Sequence, residues 1–167
     1  MVDHQRQLDT ATAFFLAGER CALELRFYQY GFHTVSAPTI VNYALAVEIA
    51  LKLLHSLVTG ETKSGHDLGA LYEQLPGGVR ANLLHLAEEN SVISRHFVDW
   101  RYPYEKDLLI GDFENSRRAF IECYREIRRV APALVSVYEE LWGTFEPDWI
   151  QAWSGEQPKY ELNLVAV

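Results

Sequence analysis

The chain has 167 residues, 49% of them apolar and 13% aromatic, with a net charge of −8. That length allows one domain with a buried core, and the apolar share excludes a disordered chain. No uncharged apolar run of about 18 residues is present, so no membrane span is expected.

The acidity is concentrated near the end. From Glu139 onward six acidic residues stand against Lys159 alone, which leaves −3 for the rest of the chain. Such a surface is a poor non-specific binder of nucleic acid, although a local basic groove is compatible with it. Met1 to Arg6 is polar and lacks the apolar stretch of a signal peptide. Cys21 and Cys123 have no metal-ligand spacing and read as inert thiols of a cytoplasmic protein. No metal site and no cofactor are expected.

Residues 7–32 read as a first helix, with Leu8, Ala11, Phe15, Ala22, Leu25 and Phe27 at roughly helical spacing and Gly31 as its cap. Ser36-Ala37-Pro38 signals the start of a second helix over 38–59, apolar almost all round as a central helix should be. One polar stripe interrupts it: Glu48, Lys52, His55, Ser56 and Thr59. Glu48 and Lys52 are four apart in the favourable order for an ion pair. The stripe is either a solvated face or the wall of a groove.

Residues 59–65 are loop by composition. A short helix follows over 67–75, with Asp67 suited to its start. His66-Asp67 reads as that helix start and not as a catalytic dyad. Pro76-Gly77-Gly78 breaks the chain, and a fourth helix is expected from about 79 to 101.

Asp112 can cap a fifth helix. Phe113, Phe120, Ile127, Leu134 and Leu141 are seven apart, with Tyr124, Ala131, Tyr138 and Phe145 filling the seam. That repeat predicts long lengthwise packing, kinked or split at Pro132. Arg117, Arg118, Arg125, Arg128 and Arg129 give the helix a basic outer face, which binds phosphates or pairs with Glu114, Glu122 and Glu126. The acidic tail 146–167 carries Trp149 and Trp153 and is expected to dock on the bundle or on a partner protein. With no strand-rich region, the fold class is all-α.

The densest chemistry lies in 94–106, where Arg95, His96, Asp99, Arg101, Glu105 and Lys106 mix with Phe97, Trp100, Tyr102 and Tyr104. Pro103 biases Tyr102 away from the helical region, so the helix should end near Arg101. A cationic helix end walled by rings suits an anionic or planar ligand, and equally a structural anchor. There is no glycine-rich phosphate loop, no nucleophile elbow and no paired cysteine metal site.

Three stretches in order resemble the HEPN family (higher eukaryotes and prokaryotes nucleotide-binding): Ala46-Val47-Glu48-Ile49-Ala50-Leu51-Lys52, then Gly65-His66-Asp67-Leu68, then Phe97-Val98-Asp99-Trp100-Arg101-Tyr102-Pro103-Tyr104-Glu105. The resemblance spans about residues 8–145. It implies an antiparallel bundle of four or five helices, usually dimeric. It also implies binding of nucleotide or RNA, or metal-independent ribonuclease activity, in a toxin–antitoxin or phage-defence setting.

The family's ribonuclease motif places a polar residue after the Arg and a His a few positions on. Here Tyr102 follows Arg101 and no His comes after, so the motif is degenerate. Arg26–His33 and Arg80–His85 match the spacing, but eleven Arg and six His give about one such match by chance.

Three readings result. The first is a degenerate nucleotide- or RNA-binding protein using Glu48, Lys52, Arg95, His96, Trp100, Arg101, Tyr104 and Glu105. The second is an active ribonuclease with Arg101 as the cation and His96 as the proton-transfer group. The third is a pure interaction module. A twofold homodimer is expected, because a single bundle offers little interior for two nearly all-apolar helices.

Overall fold

The structure, a computed structural model, describes residues 3–23, 27–28, 31–32, 36–87 and 113–142. Helix α1 (His4–Leu23) starts at Asp3, whose carboxylate accepts the amide N–H of Arg6 at 3.0 Å. Such a side chain satisfies a donor that the first turn cannot pair internally. Leu8, Ala11 and Phe15 recur on one face and are fully buried.

The helix ends at Leu23, short of the expected 32. Phe27–Tyr28 (β1) and Gly31–Phe32 (β2) instead pair antiparallel, Phe27 opposite Phe32 and Tyr28 opposite Gly31. Aromatic residues favour extended backbone, so this run is better suited to a hairpin than to a last helical turn. Gly31 is thus a ladder residue and not a helix cap.

Helix α2 (Ser36–Thr59) keeps Pro38 in its first turn, where a missing N–H costs nothing. Gly60, at φ +76°, closes it from the left-handed region, with its N–H on the Ser56 carbonyl at 3.0 Å. From Ala37 to Thr59 the helix is long and apolar enough to cross a membrane, but most of it is buried inside this fold. Ile40, Tyr43, Ala44, Ala46, Val47, Ala50, Leu51, Leu53 and Leu54 are buried over more than half its girth, and the remaining face, with Val41, Leu45 and Ile49, is half-buried.

Helix α3 (Leu68–Glu73) is capped by Asp67, whose Oδ1 accepts the Ala70 N–H at 2.9 Å. The expected break at Pro76-Gly77-Gly78 is a helix start instead: Pro76 precedes α4 (Gly77–Arg80) and both glycines are helical. The chain then turns at Ala81–Asn82 and is helical again over 84–87. The helix expected over 79–101 is therefore interrupted at its beginning. The amide N–H groups of His85 and Leu86, exposed by that interruption, donate to the Glu122 carboxylate from across the fold at 2.9–3.3 Å.

Helix α5 (Phe113–Val130) presents Ala119, Phe120, Cys123, Tyr124 and Ile127 to the core. It stops before Pro132, so the seven-residue seam ends there and does not continue to 145. Turns follow, then a 3-10 turn at Glu139–Trp142. A proline inside a helix removes a hydrogen bond and clashes with the preceding turn, and here that ends the helix outright.

Cross-helix bonds give the directions. His4 Nε2 meets Ser56 Oγ at 2.9 Å, and the Tyr43 hydroxyl donates to Glu19 at 2.6 Å, so α1 and α2 are antiparallel. Arg117 bonds Glu19, and Gln5 donates to the Val135 carbonyl at 2.8 Å, so α5 is antiparallel to α1 as well. The three helices meet at Phe15, stacked on Phe120 at 4.3 Å and tilted against Tyr43 at 5.4 Å. Each such fully buried ring contributes about 1.5–3 kcal/mol. The described residues are all-α apart from the one two-residue ladder.

Candidate functional site

Residues four and seven apart on a helix share a face, which is why Glu48, Lys52 and His55 line up along α2. The stripe they form is buried, not solvated. Glu48 is 5% exposed and His55 4%. A charge so placed needs partners, and Glu48 has two. Lys52 Nζ donates to Oε1 at 2.7 Å, and His66 Nδ1 lies 3.1 Å from each carboxylate oxygen. Lower on the stripe, Thr59 Oγ1 meets His55 Nδ1 at 2.9 Å, and Ser56 is taken by His4.

The cluster is graded from inside to outside. The Glu48 side chain is 6% exposed, Lys52 18% and His66 63%. The loop 60–67 makes this possible. Gly60 and Gly65 (φ +103°) both adopt backbone that other residues avoid, and the loop returns His66 over the middle of α2. Asp67, the next residue, starts α3, which packs Leu68, Leu71 and Tyr72 onto the same core. The imidazole is thus carried on an anchored segment.

His66 is the residue that motif reasoning passes over. Read alone, His66-Asp67 marks a helix start, and Asp67 does cap α3. The imidazole has a second function that only the fold reveals, as the partner of Glu48. The Gly65-His66-Asp67-Leu68 stretch was itself a usable signal.

Glu48 and Lys52 are the two expected site residues that the structure describes, and it brings them together. Arg95, His96, Trp100, Arg101, Tyr104 and Glu105, with the whole stretch 94–106, lie outside the described residues. So does the tail with Trp149 and Trp153.

The arginine face of α5 is largely paired. Arg117 is 5% exposed and bonds Glu19, Arg118 approaches Glu114 at 3.5 Å, Arg128 bonds Glu139 at 2.6 Å and Arg129 bonds Glu126 at 2.7 Å. Arg118 and Arg129 pair within the helix with Glu114 and Glu126, as the pairing reading expects, whereas Arg117 and Arg128 reach Glu19 and Glu139 on other elements and Glu122 takes backbone amides instead. The Arg129 bonds hold the Glu126 carboxyl below the usual range, with Asn82 adding to them. Burial pushes the Glu122 carboxyl up in spite of its two backbone donors. Both cysteines are free, and burial pushes the Cys123 thiol well up, which leaves it unreactive.

A separate open groove of about 650 Å³ runs along the outside of α1, lined by Arg6, Thr10, Phe14, Asn42 and Tyr138 among others. It shares no lining residue with the Glu48 cluster. Among the described residues no group of three or more His, Cys, Asp or Glu could hold a metal ion.

Comparison with known protein families, with curated proteins and with solved structures finds no match.

Proposed function

We propose that the chain is a HEPN-like antiparallel bundle of four to five helices that binds nucleotide or RNA. The ligand would be held by Glu48 and Lys52, with His66 beside them, together with Arg95, His96, Trp100, Arg101, Tyr104 and Glu105 of the stretch outside the described residues. The Arg–His ribonuclease motif is degenerate at its usual place. The observation that carries this reading is the graded cluster on α2. A buried carboxylate and a partly covered ammonium on the central helix meet an outward imidazole carried by the loop that follows it. A core helix does not need such a group for stability, because apolar residues of similar volume usually serve as well or better.

Two copies related by a twofold axis are part of the proposal, as is a toxin–antitoxin or phage-defence setting. A dimer would bring two basic segments 94–106 into one cleft and hold a phosphate ligand despite the net charge of −8.

Fluorescence anisotropy with short RNAs and with nucleotides, at low salt, tests the reading. The expected result is saturable binding that weakens as salt rises and weakens several-fold in Lys52→Ala. Binding no better than to an unrelated acidic protein would sink it.

A further inference from the structure

The side of α1 turned away from the core carries a regular stripe. Asp3, Arg6, Thr10, Ala13, Ala17 and Arg20 are spaced alternately three and four apart, which places them in one row along the helix. Ala17 is half-buried and the other five are exposed. The first five line the open groove of about 650 Å³. Val135 and Val137 stand at its rim, 40% and 68% exposed. They are held there by Gln5, which donates to the Val135 carbonyl, and by the Val137 N–H, which donates to Asp9. Two of the three large apolar side chains exposed among the described residues therefore border this one groove.

The stripe is its own complement. Laid antiparallel on a copy of itself about a point between Ala11 and Thr12, it sets Asp3 against Arg20 of the second copy, and does so twice. Arg6 then faces Ala17, and Thr10 faces Ala13 at the crossing. Small residues at a crossing let two helix backbones come close. The Thr10 hydroxyl is already bonded to the Arg6 carbonyl at 2.7 Å, so it loses no partner when water leaves. The Arg6 stem can cover Ala17 while its head stays in water. Among the described residues neither the Arg6 nor the Arg20 guanidinium has a partner, and Asp3 uses only Oδ1, on the Arg6 N–H. A parallel arrangement would set Asp3 on Asp3, Arg6 on Arg6 and Arg20 on Arg20, which like charges disfavour.

We propose that this stripe seats α1 of a second copy, packed antiparallel across a twofold axis. Such a contact is isologous, each residue meeting the same partner in both directions. The inference does not rest on the RNA-binding reading. It gives two copies a contact surface built of described residues and sharing none with the Glu48 cluster.

The test is a charge exchange on the full chain, read by sedimentation equilibrium at micromolar concentration and low salt. Wild type should be dimeric. Asp3→Lys alone sets Lys against Arg20 twice, and Arg20→Asp alone sets Asp against Asp3 twice, so each should weaken self-association about tenfold. An equimolar mixture of the two variants restores both opposite-charge pairs and should dimerise as wild type does. Ala13→Arg, exposed and at the crossing, should be monomeric and melt as the wild-type monomer does. Asp3→Lys also removes the α1 cap, and Arg20→Asp with Ala13→Arg carry the test if that variant unfolds. A dimer that Arg20→Asp and Ala13→Arg leave intact overturns this face and leaves a twofold assembly through other surfaces standing. Folded variants whose mixture associates no better than either alone overturn the antiparallel register. A species of 19.2 kDa in wild type overturns the inference and the proposed dimer together, whatever RNA binding shows.

Discussion

Glu48 shows what a single ionisable residue costs on an apolar helix. Inside the fold Lys52 and His66 take the place of the water that its carboxylate loses. Glu48→Ala removes the shared partner and leaves Lys52, 18% exposed, without its carboxylate. Because Lys52 and His66 can still reach solvent, the loss should fall below that of a wholly buried pair, at about 2–3 kcal/mol. For a chain of this length that lowers Tm by roughly 4–12 °C, which differential scanning calorimetry would read. Tyr124 makes a prediction at the alkaline end. Burial first, then its hydrogen bond to Glu139, pushes its phenol up to about 12, and Tyr43 is pushed further the same way by burial and Glu19. The folded state therefore holds phenol protons that the unfolded chain releases near pH 10. That contribution is fully present below pH 10 and is lost as pH rises toward 12. Urea midpoints should fall across that window, and Tyr124→Phe, which has no phenol to ionise, should fall less steeply than wild type.

At the scale of elements, the contact between α1 and α2 depends on a missing side chain. A Cβ at Gly18 would lie 2.6 Å from Cδ1 of the Tyr43 ring. The ring cannot swing aside, since it packs on Phe15 and its hydroxyl is bonded to Glu19. An exposed helical glycine replaced by alanine would gain about 1 kcal/mol. Gly18→Ala should instead lose about 1–3 kcal/mol through overpacking. Equilibrium denaturation gives the sign directly, and a stabilised variant would mean that the two helices are not this close. Element ends follow the same local logic. Pro132 terminates α5 where the seven-residue pattern alone would have carried it on, and Glu122 supplies the acceptor that the interrupted helix near 84 needs.

For the whole molecule, the apolar girth of α2 is consumed within one chain, between α1, α5 and α3. The surplus apolar surface that argued for a second copy is thus largely spent on this fold. Among the described residues it remains at Leu84, Val135 and Val137, which are 65%, 40% and 68% exposed. The proposed dimer therefore has less of α2 to draw on than the sequence suggests, although Val41, Leu45 and Ile49 of that helix are only half-buried. Sedimentation equilibrium at micromolar concentration should give about 38 kDa, twice the 19.2 kDa chain. A species that stays at 19.2 kDa would remove both the dimer and the shared cleft.

Periodicity and punctuation in the sequence determined the helical class, α2 as the central helix, the Asp67 cap and the loop at 60–65, because each depends on residues within one or two turns of each other. The inward row Phe120, Tyr124 and Ile127 was equally legible, being a property of one helix face. Tertiary structure alone decided the rest. Between a last helical turn and an extended pair at Phe27 and Phe32 spacing does not choose, and the fold takes the extended pair. The α5 arginines had several acids within reach in sequence, but Arg117 and Arg128 chose Glu19 and Glu139, which lie on other elements. Above all, Glu48 and His66 are eighteen residues apart, and only a loop with two left-handed glycines, laid back over a buried helix, turns a helix-start signal into the partner of a buried acid.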